Sequence, residues 1–251
     1  MSRIVCQFSC GAASAVATKL ALAQYRPDQE VVVLNAYIKQ EDEDNRRFAT
    51  ECEGWFGVPL VTLSHPKYDG DVIQVFKTVR FMKGPRGAPC TRILKRELLN
   101  GFSQPGDILV LGFTAEEADR LDDFRERFPD RPAVAPLVER GLTKEDCKTM
   151  VMRAGIALPR MYLLGYENAN CKGCVKGGEA YFRAVREDFP AEFEELCKVQ
   201  DELGPGSYLH RNRKTDVRFS LRELGDGPVS RHEPLGSCSF FCEQAEQEYS
   251  A

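Results

Sequence analysis

Short apolar runs alternate with helical segments along this chain, and that alternation constrains its fold more than any other feature. The run EVVVLNAYI (Glu30–Ile38) is rich in β-branched residues, as is typical of a strand covered on both faces. Three further runs have the same character: Ile4–Phe8, PLVTLS and Asp107–Phe113. Strands separated by helices indicate βαβ units, so we predict an α/β fold with an open, mostly parallel twisted sheet flanked by helices.

Predicted helices occupy much of the chain between and after these strands. They are Ser14–Tyr25, the second half of KQEDEDNRRFATECEGWFG, Val72–Phe81, RILKRELLNGF ending at Gly101, TKEDCKTMVMRAGI behind a Thr N-cap, and one or two helices in YFRAVREDFPAEFEELCKVQDEL. The sequence Gly204-Pro205-Gly206 is the strongest boundary signal. We therefore predict an α/β domain over residues 1–203 and a helical or irregular C-terminal extension over residues 204–251.

Composition excludes several classes of protein. A formal charge of −4 gives no general attraction to nucleic acid or to an anionic membrane. No apolar run has the length of a membrane span, and no secretory signal is recognisable, so we expect a cytoplasmic protein with no membrane partner. Ten cysteines in a reducing compartment indicate metal, cluster or redox chemistry. Cys52, Cys147 and Cys197 stand alone in helical stretches, and we expect them to be buried hydrophobes.

The first candidate site is the loop SCGAAS (Ser9–Ser14), which lies between the first predicted strand and the first predicted helix. Small side chains and the N–H groups of a helix start are typical of an anion site, although a tight turn has the same composition. Gly-Lys-Ser/Thr is absent, so the loop is not a Walker A motif. The candidate phosphate contacts are Ser9, Gly11 and Ser14.

Two further segments carry positive charge. Cys90 begins a predicted helix that carries Arg92 and Lys95; this setting favours thiolate chemistry or ligation, and a solvated basic face is the alternative. Arg120, in LGFTAEEADR, follows the fourth predicted strand, where open α/β sheets bind ligands. Arg120 is a candidate anion clamp, and a surface pair with Glu117 is the alternative.

The strongest local signal is NCKGCVKGG (Asn170–Gly178). A Cys-x-x-Cys turn directs the thiolates of Cys171 and Cys174 at one metal ion or cluster, whose negative charge Lys172 and Lys176 would reduce. The alternatives are a thioredoxin-type redox pair and a zinc site completed by one of three histidines: His65, His210 and His232.

A second cysteine pair, Cys238 and Cys242 in GSCSFFC, lies near the C-terminus. Its spacing suits two metal ligands, or a tail that carries a reactive thiol.

Taken in order, these motifs resemble the phosphoadenosine-phosphosulfate (PAPS) reductase family, within the adenine-nucleotide α-hydrolase-like, or PP-loop, superfamily. FSCGAASAV is similar to the family's Ser-x-Gly-x-x-Ser loop, APCTRILKREL to its Cys-x-x-x-x-Lys segment, and GFTAEEADR to its Gly-x-x-x-x-Glu-x-x-Arg motif. APLVERGLTKEDC and YLLGYENANCKGC are similar to the family's ending, which closes on Cys-x-x-Cys.

This resemblance implies a Rossmann-like fold, a bound adenine nucleotide (ATP, adenylylsulfate or PAPS) and a [4Fe–4S] cluster. It implies Cys90, Cys171 and Cys174 as cluster ligands, with zinc as the alternative metal. The fourth ligand is then Cys238 or Cys242, or the fourth iron stays open. The residues that it implies for binding phosphate or sulfonate are Ser9, Gly11, Ser14, Arg92, Lys95 and Arg120.

Two departures from the family's motifs bear on the reaction. ATP-splitting members carry Lys and Asp where this chain has Ala12 and Ala13, which favours a nucleotide bound without pyrophosphate cleavage, as in the reductases. The reductases' Glu-Cys-Gly-x-His tail is absent from GSCSFFCE, which disfavours identity with a housekeeping reductase; an open fourth iron is what the resemblance implies for sulfur-transfer relatives such as tRNA-thiolation enzymes. We therefore expect iron–sulfur-dependent reduction or transfer of sulfur, with Cys238 or Cys242 as the candidate catalytic thiol.

The alternative from another class is a zinc- or cluster-stabilised module that binds or modifies nucleic acid through LHRNRKTDVRFSLR. The expected partners are the adenine nucleotide, a protein that donates sulfur or electrons and, for this alternative, tRNA or DNA. A homodimer is left open.

Overall fold

The computed structural model describes residues 2–84, 87–212 and 214–232. These residues form two compact units, each of which gathers segments that are distant in the sequence. The sheet unit contains residues 2–36, 43–63 and 99–163. The cysteine unit contains residues 37–42, 64–98 and the described residues from 164 onward, and it carries Cys90, Cys171 and Cys174.

The sheet unit is built on a five-stranded sheet with the strand order β3-β2-β1-β4-β5. The strands are β1 (Ile4–Gln7), β2 (Val31–Ala36), β3 (Leu60–Leu63), β4 (Ile108–Val110) and β5 (Ala133–Val134). Every pairing is parallel, and Ile4 of β1 lies opposite both Val31 of β2 and Ile108 of β4. The predicted α/β fold with a mostly parallel sheet and flanking helices is confirmed.

Helices make up much of the remaining described chain. In chain order they are α1 (Ala12–Tyr25), α2 (Asp44–Phe56), α3 (Val72–Val79), α4 (Pro89–Thr91), α5 (Leu98–Phe102), α6 (Ala118–Arg127), α7 (Pro136–Glu139), α8 (Lys144–Arg153), α9 (Arg160–Leu163), α10 (Glu179–Asp188) and α11 (Pro190–Leu203). A π-helical segment, Arg92–Glu97, joins α4 to α5. The helix predicted to end at Gly101 therefore continues through that residue to Phe102. Single 3₁₀ turns occur at Ala115–Glu117, Pro205–Ser207 and Leu221–Glu223.

The core of the sheet unit forms between β1, α1 and α2. Phe8, just after β1, is buried against Phe48 and Phe56 of α2, with ring centroids 6.2 and 5.5 Å apart. Cys52 and Cys147 lie in the same core, where burial raises the pKa of each thiol to about 12. These two cysteines are therefore the buried hydrophobes that the sequence predicts.

The cysteine unit packs α10 against α11 and α11 against α3. A short antiparallel hairpin joins β6 (His210–Arg211) to β7 (Arg218–Phe219). The helix α11 ends at Leu203 with Gly204, the first residue of the predicted boundary, as its C-cap, and the described residues beyond it belong to the same unit as α11. Cys197 of α11 is buried as predicted, which raises the pKa of its thiol to about 11.

Among the described residues, no helix combines the length and the apolar character needed to cross a lipid bilayer.

Candidate functional site

The carboxyl ends of β1 and β4 mark the point where the strand order of the sheet reverses. From β1 the chain runs outward to β2 and β3, whereas β4 pairs with the other side of β1. Open α/β sheets bind their ligands at such a switch point. The loop Ser9–Ser14 follows β1 and Gly112 follows β4, and a Cβ added at Gly112 would lie 3.1 Å from the Cα of Ser14. The candidate phosphate loop therefore packs directly against the end of β4.

The loop Ser9–Ser14 is a tight turn with its own hydrogen bonds. The Ser14 hydroxyl donates to the main-chain O of Gly11 (2.9 Å) and accepts from the N–H of Ser9 (3.2 Å). Cys10 has a φ of 57°, in the left-handed region that favours glycine. Its thiol is buried and accepts a hydrogen bond from the side-chain amide of Asn35 (3.4 Å). Cys10 therefore serves as a small buried side chain at a strained position.

A tyrosine hydroxyl contacts this loop from α9. The main-chain N–H of Ala12 donates to the Tyr162 hydroxyl (3.3 Å), and a Cβ added at Gly11 would lie 3.3 Å from the same oxygen. The short helix α9 is tied to α2, because the main-chain N–H of Arg160 donates to the carboxylate of Asp44 (2.8 Å). Within YLLGY no periodicity or charge marks Tyr162 as a contact of the loop, so sequence reasoning missed it.

Arg120 lies beyond the end of β4, as the sequence predicts. Its guanidinium stacks over the ring of Phe113, 4.5 Å from the centroid, and forms an ion pair with Glu117. The surface pair that was the alternative for Arg120 is thus present in the structure. The anion-clamp role of Arg120 stays a prediction.

The cysteine unit brings Cys90, Cys171 and Cys174 to the wall of one pocket. The pocket has about 580 Å³ of empty space, which includes its open mouth. Cys174 is buried, and Cys90 and Cys171 are half-buried. The wall contains apolar side chains as well as charged and amide side chains. The apolar residues include Ile38, Val72, Ile73, Phe76 and Leu196, and the polar ones are Gln40, Lys95, Lys172, Lys176, Glu192 and Glu195.

The Cys-x-x-Cys turn is shaped by a glycine and fixed by a buried tyrosine. Gly173 has a φ of 76°, and a Cβ added there would lie 2.5 Å from Leu196 Cδ1. The N–H of Cys174 donates to the main-chain O of Cys171 (3.2 Å) and to the hydroxyl of Tyr181 (3.0 Å). The Tyr181 hydroxyl in turn donates to the main-chain O of Cys171 (3.3 Å). Burial raises the pKa of Tyr181 well above its usual value, which keeps the hydroxyl protonated for this role.

Three of the cations predicted around the cysteines have carboxylate partners. Lys172 pairs with Glu192 (2.7 Å), and Lys95 pairs with Glu41 (3.1 Å). Arg92 pairs with Glu97 (2.7 Å), five residues along, in the register of a π-helical turn. The roles of Arg92 and Lys95 toward phosphate stay predictions.

The three cysteines of the pocket have the chemistry that an iron–sulfur cluster requires, because thiolates are the ligands that hold such clusters. Within the ranges that the structure describes, no group of three or more His, Cys, Asp or Glu side chains is arranged to hold a metal ion. His210, a predicted alternative ligand, packs between the rings of Phe182 and Phe219 (5.3 and 5.7 Å). The candidate catalytic residues Cys238 and Cys242 lie outside the described residues.

Three arginines of the basic segment LHRNRKTDVRFSLR (209–222) bind carboxylates or a main-chain oxygen of the cysteine unit. Arg211 pairs with Asp216 (2.6 Å), and Arg218 donates to the main-chain O of Gly206 (3.0 Å). Arg222 bridges Glu194 (2.9 Å) and Asp201 (2.7 Å). Nucleic-acid binding through this segment stays a prediction.

No model of a known protein family matches this chain, and no curated protein matches it either. The cysteine pocket and the loop at the switch point are therefore the features on which a function can be proposed.

Proposed function

We propose that this chain binds an adenine nucleotide on its sheet unit and a [4Fe–4S] cluster on its cysteine unit, and that it reduces or transfers an activated sulfur. In this proposal the sheet unit is a Rossmann-like domain of the adenine-nucleotide α-hydrolase type, and the enzyme resembles the PAPS reductases. The observation that carries the proposal is that Cys90, which is distant in the sequence from the Cys171–Cys174 turn, lines one pocket with both of its cysteines.

The three thiols would be the protein ligands of the cluster. Gly173 permits the tight turn, and Tyr181 binds both ends of it, so Cys171 and Cys174 keep a fixed separation. Apolar side chains such as Phe76 and Leu196 limit the access of water to the thiolates. A bound cluster would supply electrons, or a position for sulfide at an iron without a protein ligand.

The loop Ser9–Ser14 would hold the phosphates of the nucleotide. Its amides stand at the start of a 14-residue helix and at the switch point of the sheet. Ala12 and Ala13 bring no charge to the loop, so the phosphates would depend on main-chain N–H groups, Ser9 and Ser14. Arg120, beyond the end of β4, is the cation of this unit that we assign to the same anion. This arrangement favours a nucleotide whose pyrophosphate is not cleaved.

The experiment that tests this function is anaerobic incubation of the reconstituted protein with ATP, adenylylsulfate and PAPS in turn, each with a dithiol. A reductase converts adenylylsulfate into sulfite and AMP and oxidises two thiols to a disulfide. A sulfur transferase releases pyrophosphate from ATP as it adenylates its acceptor, so acceptor nucleic acid is added in a parallel series. Formation of neither product with any nucleotide contradicts the proposal. Cys174→Ser is assayed in the same way to test the pocket. Cys197→Ser, a substitution outside the pocket, is its control.

A further inference from the structure

Two consecutive residues, Gln40 and Glu41, bind both of the segments that carry the pocket cysteines. The main-chain O of Gln40 accepts a hydrogen bond from the N–H of Lys172 (2.9 Å), which lies inside the Cys-x-x-Cys turn. The carboxylate of Glu41 accepts from Nζ of Lys95 (3.1 Å), on the π-helical segment that follows Cys90. We call Gln40 and Glu41 the clip.

The clip is anchored at the start of α3. The side-chain amide of Gln40 donates to Asp71 (3.0 Å), and its oxygen accepts from the N–H of Val72 (2.8 Å). Asp71 caps α3 by accepting from the N–H groups of Ile73 (2.9 Å) and Gln74 (3.2 Å). The side chain of Lys39 also pairs with Asp71 (2.9 Å). The clip is therefore fixed to a helix that itself lines the pocket.

The contact between Glu41 and Lys95 is buried. Only 4% of the Glu41 side chain and 15% of the Lys95 side chain are exposed. A buried charge that loses its partner is strongly disfavoured, so such a pair holds the two segments in one arrangement. The chain is helical without interruption from Pro89 through Lys95, and both Cys90 and Lys95 line the pocket. Fixing Lys95 therefore fixes Cys90.

We propose that the clip is a positioning device for the three thiols: through the Glu41–Lys95 pair and the Gln40–Lys172 hydrogen bond, it sets the place of Cys90 relative to Cys171 and Cys174. Lys95 is then a positioning residue and not a phosphate ligand. This inference rests on the ligand set of the proposed function. It adds to that function the residues that determine how tightly the thiols bind a thiophilic metal.

The test is anaerobic titration of the reduced, metal-free chain with Cd²⁺, followed by the ultraviolet absorption of cadmium–thiolate bonds. We expect Glu41→Gln to weaken Cd²⁺ binding by about 10- to 100-fold, as is typical when a residue behind a metal ligand is lost. Because the two side chains act as one pair, Glu41→Gln/Lys95→Gln should bind Cd²⁺ no more weakly than Glu41→Gln alone. Asp107→Asn is the matched control, since it breaks a buried pair with Arg3 (2.8 Å) in the sheet unit.

The results of the Cd²⁺ titrations distinguish a failure of the clip from a failure of the proposed function. Unchanged Cd²⁺ affinity in a folded Glu41→Gln chain overturns the clip and leaves the ligand set intact. Cd²⁺ affinity that is equally insensitive to Cys90→Ser contradicts the ligand set itself. A Lys95→Gln chain that loses AMP affinity but keeps its Cd²⁺ affinity overturns the clip in favour of a phosphate contact. If Glu41→Gln does not fold, Glu41→Asp replaces it, because this variant keeps the charge. Weaker Cd²⁺ binding by Glu41→Asp is again the expected result. Unchanged Cd²⁺ binding would contradict the clip.

Discussion

The main-chain N–H of Ala12 donates a hydrogen bond to the hydroxyl of Tyr162, with 3.3 Å between nitrogen and oxygen. Ala12 is the first residue of α1, and the amides of a helix's first turn have no acceptor within their own helix. The tyrosine oxygen therefore already accepts the hydrogen bond of one main-chain N–H group that a bound phosphate would need.

A phosphate that binds the Ala12 amide must displace the Tyr162 hydroxyl. Tyr162→Phe should therefore bind AMP about two- to tenfold more tightly, because one hydrogen bond contributes roughly 0.5–1.5 kcal/mol. Isothermal titration calorimetry measures the affinity, and Tyr208→Phe, in the other unit, is the control. Weaker binding by Tyr162→Phe would mean that the hydroxyl contacts the ligand, contrary to this interpretation.

Arg120→Gln should weaken AMP binding if the guanidinium is the anion clamp. A charge-assisted hydrogen bond contributes about 1.5–3 kcal/mol, so we expect a loss of about 10- to 100-fold in affinity. Arg125→Gln is the control, because Arg125 is an exposed residue of the same helix, α6. Equal AMP affinity in Arg120→Gln and the unaltered chain would assign Arg120 to its pair with Glu117 alone.

Gly112 is the position where the end of β4 leaves no room for a side chain. Gly112→Ala would place a Cβ 3.1 Å from the backbone of Ser14, so we expect a loss of about 1–3 kcal/mol in the free energy of unfolding and weaker AMP binding. Gly54→Ala is the control, since its added Cβ in α2 would meet nothing within 4 Å beyond its chain neighbours and the backbone of its own helix. Denaturant titration measures the free energy of unfolding of both variants and of the unaltered chain. A Gly112→Ala chain as stable as the unaltered chain would contradict this close approach.

His210 should make stability depend on pH. Burial lowers its pKa from 6.5 to about 4. The folded chain then binds fewer protons at this site than the unfolded chain between these values, so the free energy of unfolding decreases as the pH falls from 6.5 toward 4. The decrease due to this residue is roughly 3 kcal/mol. His210→Phe should lose less stability than the unaltered chain between pH 7 and pH 4.5; equal losses in the two chains would contradict this account.

The sheet is predictable from the sequence to the extent that its strands are buried. Strands β1, β2 and β4 lie inside the sheet and are mostly apolar. Each of them is therefore predictable from an apolar run in the sequence. The edge strand β5 has two residues, too few for any period to show. The π-helical register at Arg92–Glu97 cannot be predicted either, because the same residue types are equally compatible with an ordinary α-helix.

The candidate site is predictable only where rare residues mark it. The uncommon Cys-x-x-Cys spacing marks Cys171 and Cys174, whereas Cys90 is implied by the resemblance to the PAPS reductases; the structure brings all three to one pocket. Glu41 belongs to the acidic stretch KQEDEDNRR, a composition typical of a solvated loop, and yet its side chain is buried. Its burial depends on Lys95, a partner from a distant segment, and no local pattern contains that information.

The measurement that tests the central claim most directly is the iron and acid-labile sulfide content of the chain after anaerobic reconstitution. We expect about four of each per chain in the unaltered protein and in Cys197→Ser, and a large loss of both in Cys171→Ser. A chain that binds no iron and sulfide, retains zinc in their place, or keeps its full iron content in Cys171→Ser would contradict the assignment of the cysteine pocket to a [4Fe–4S] cluster.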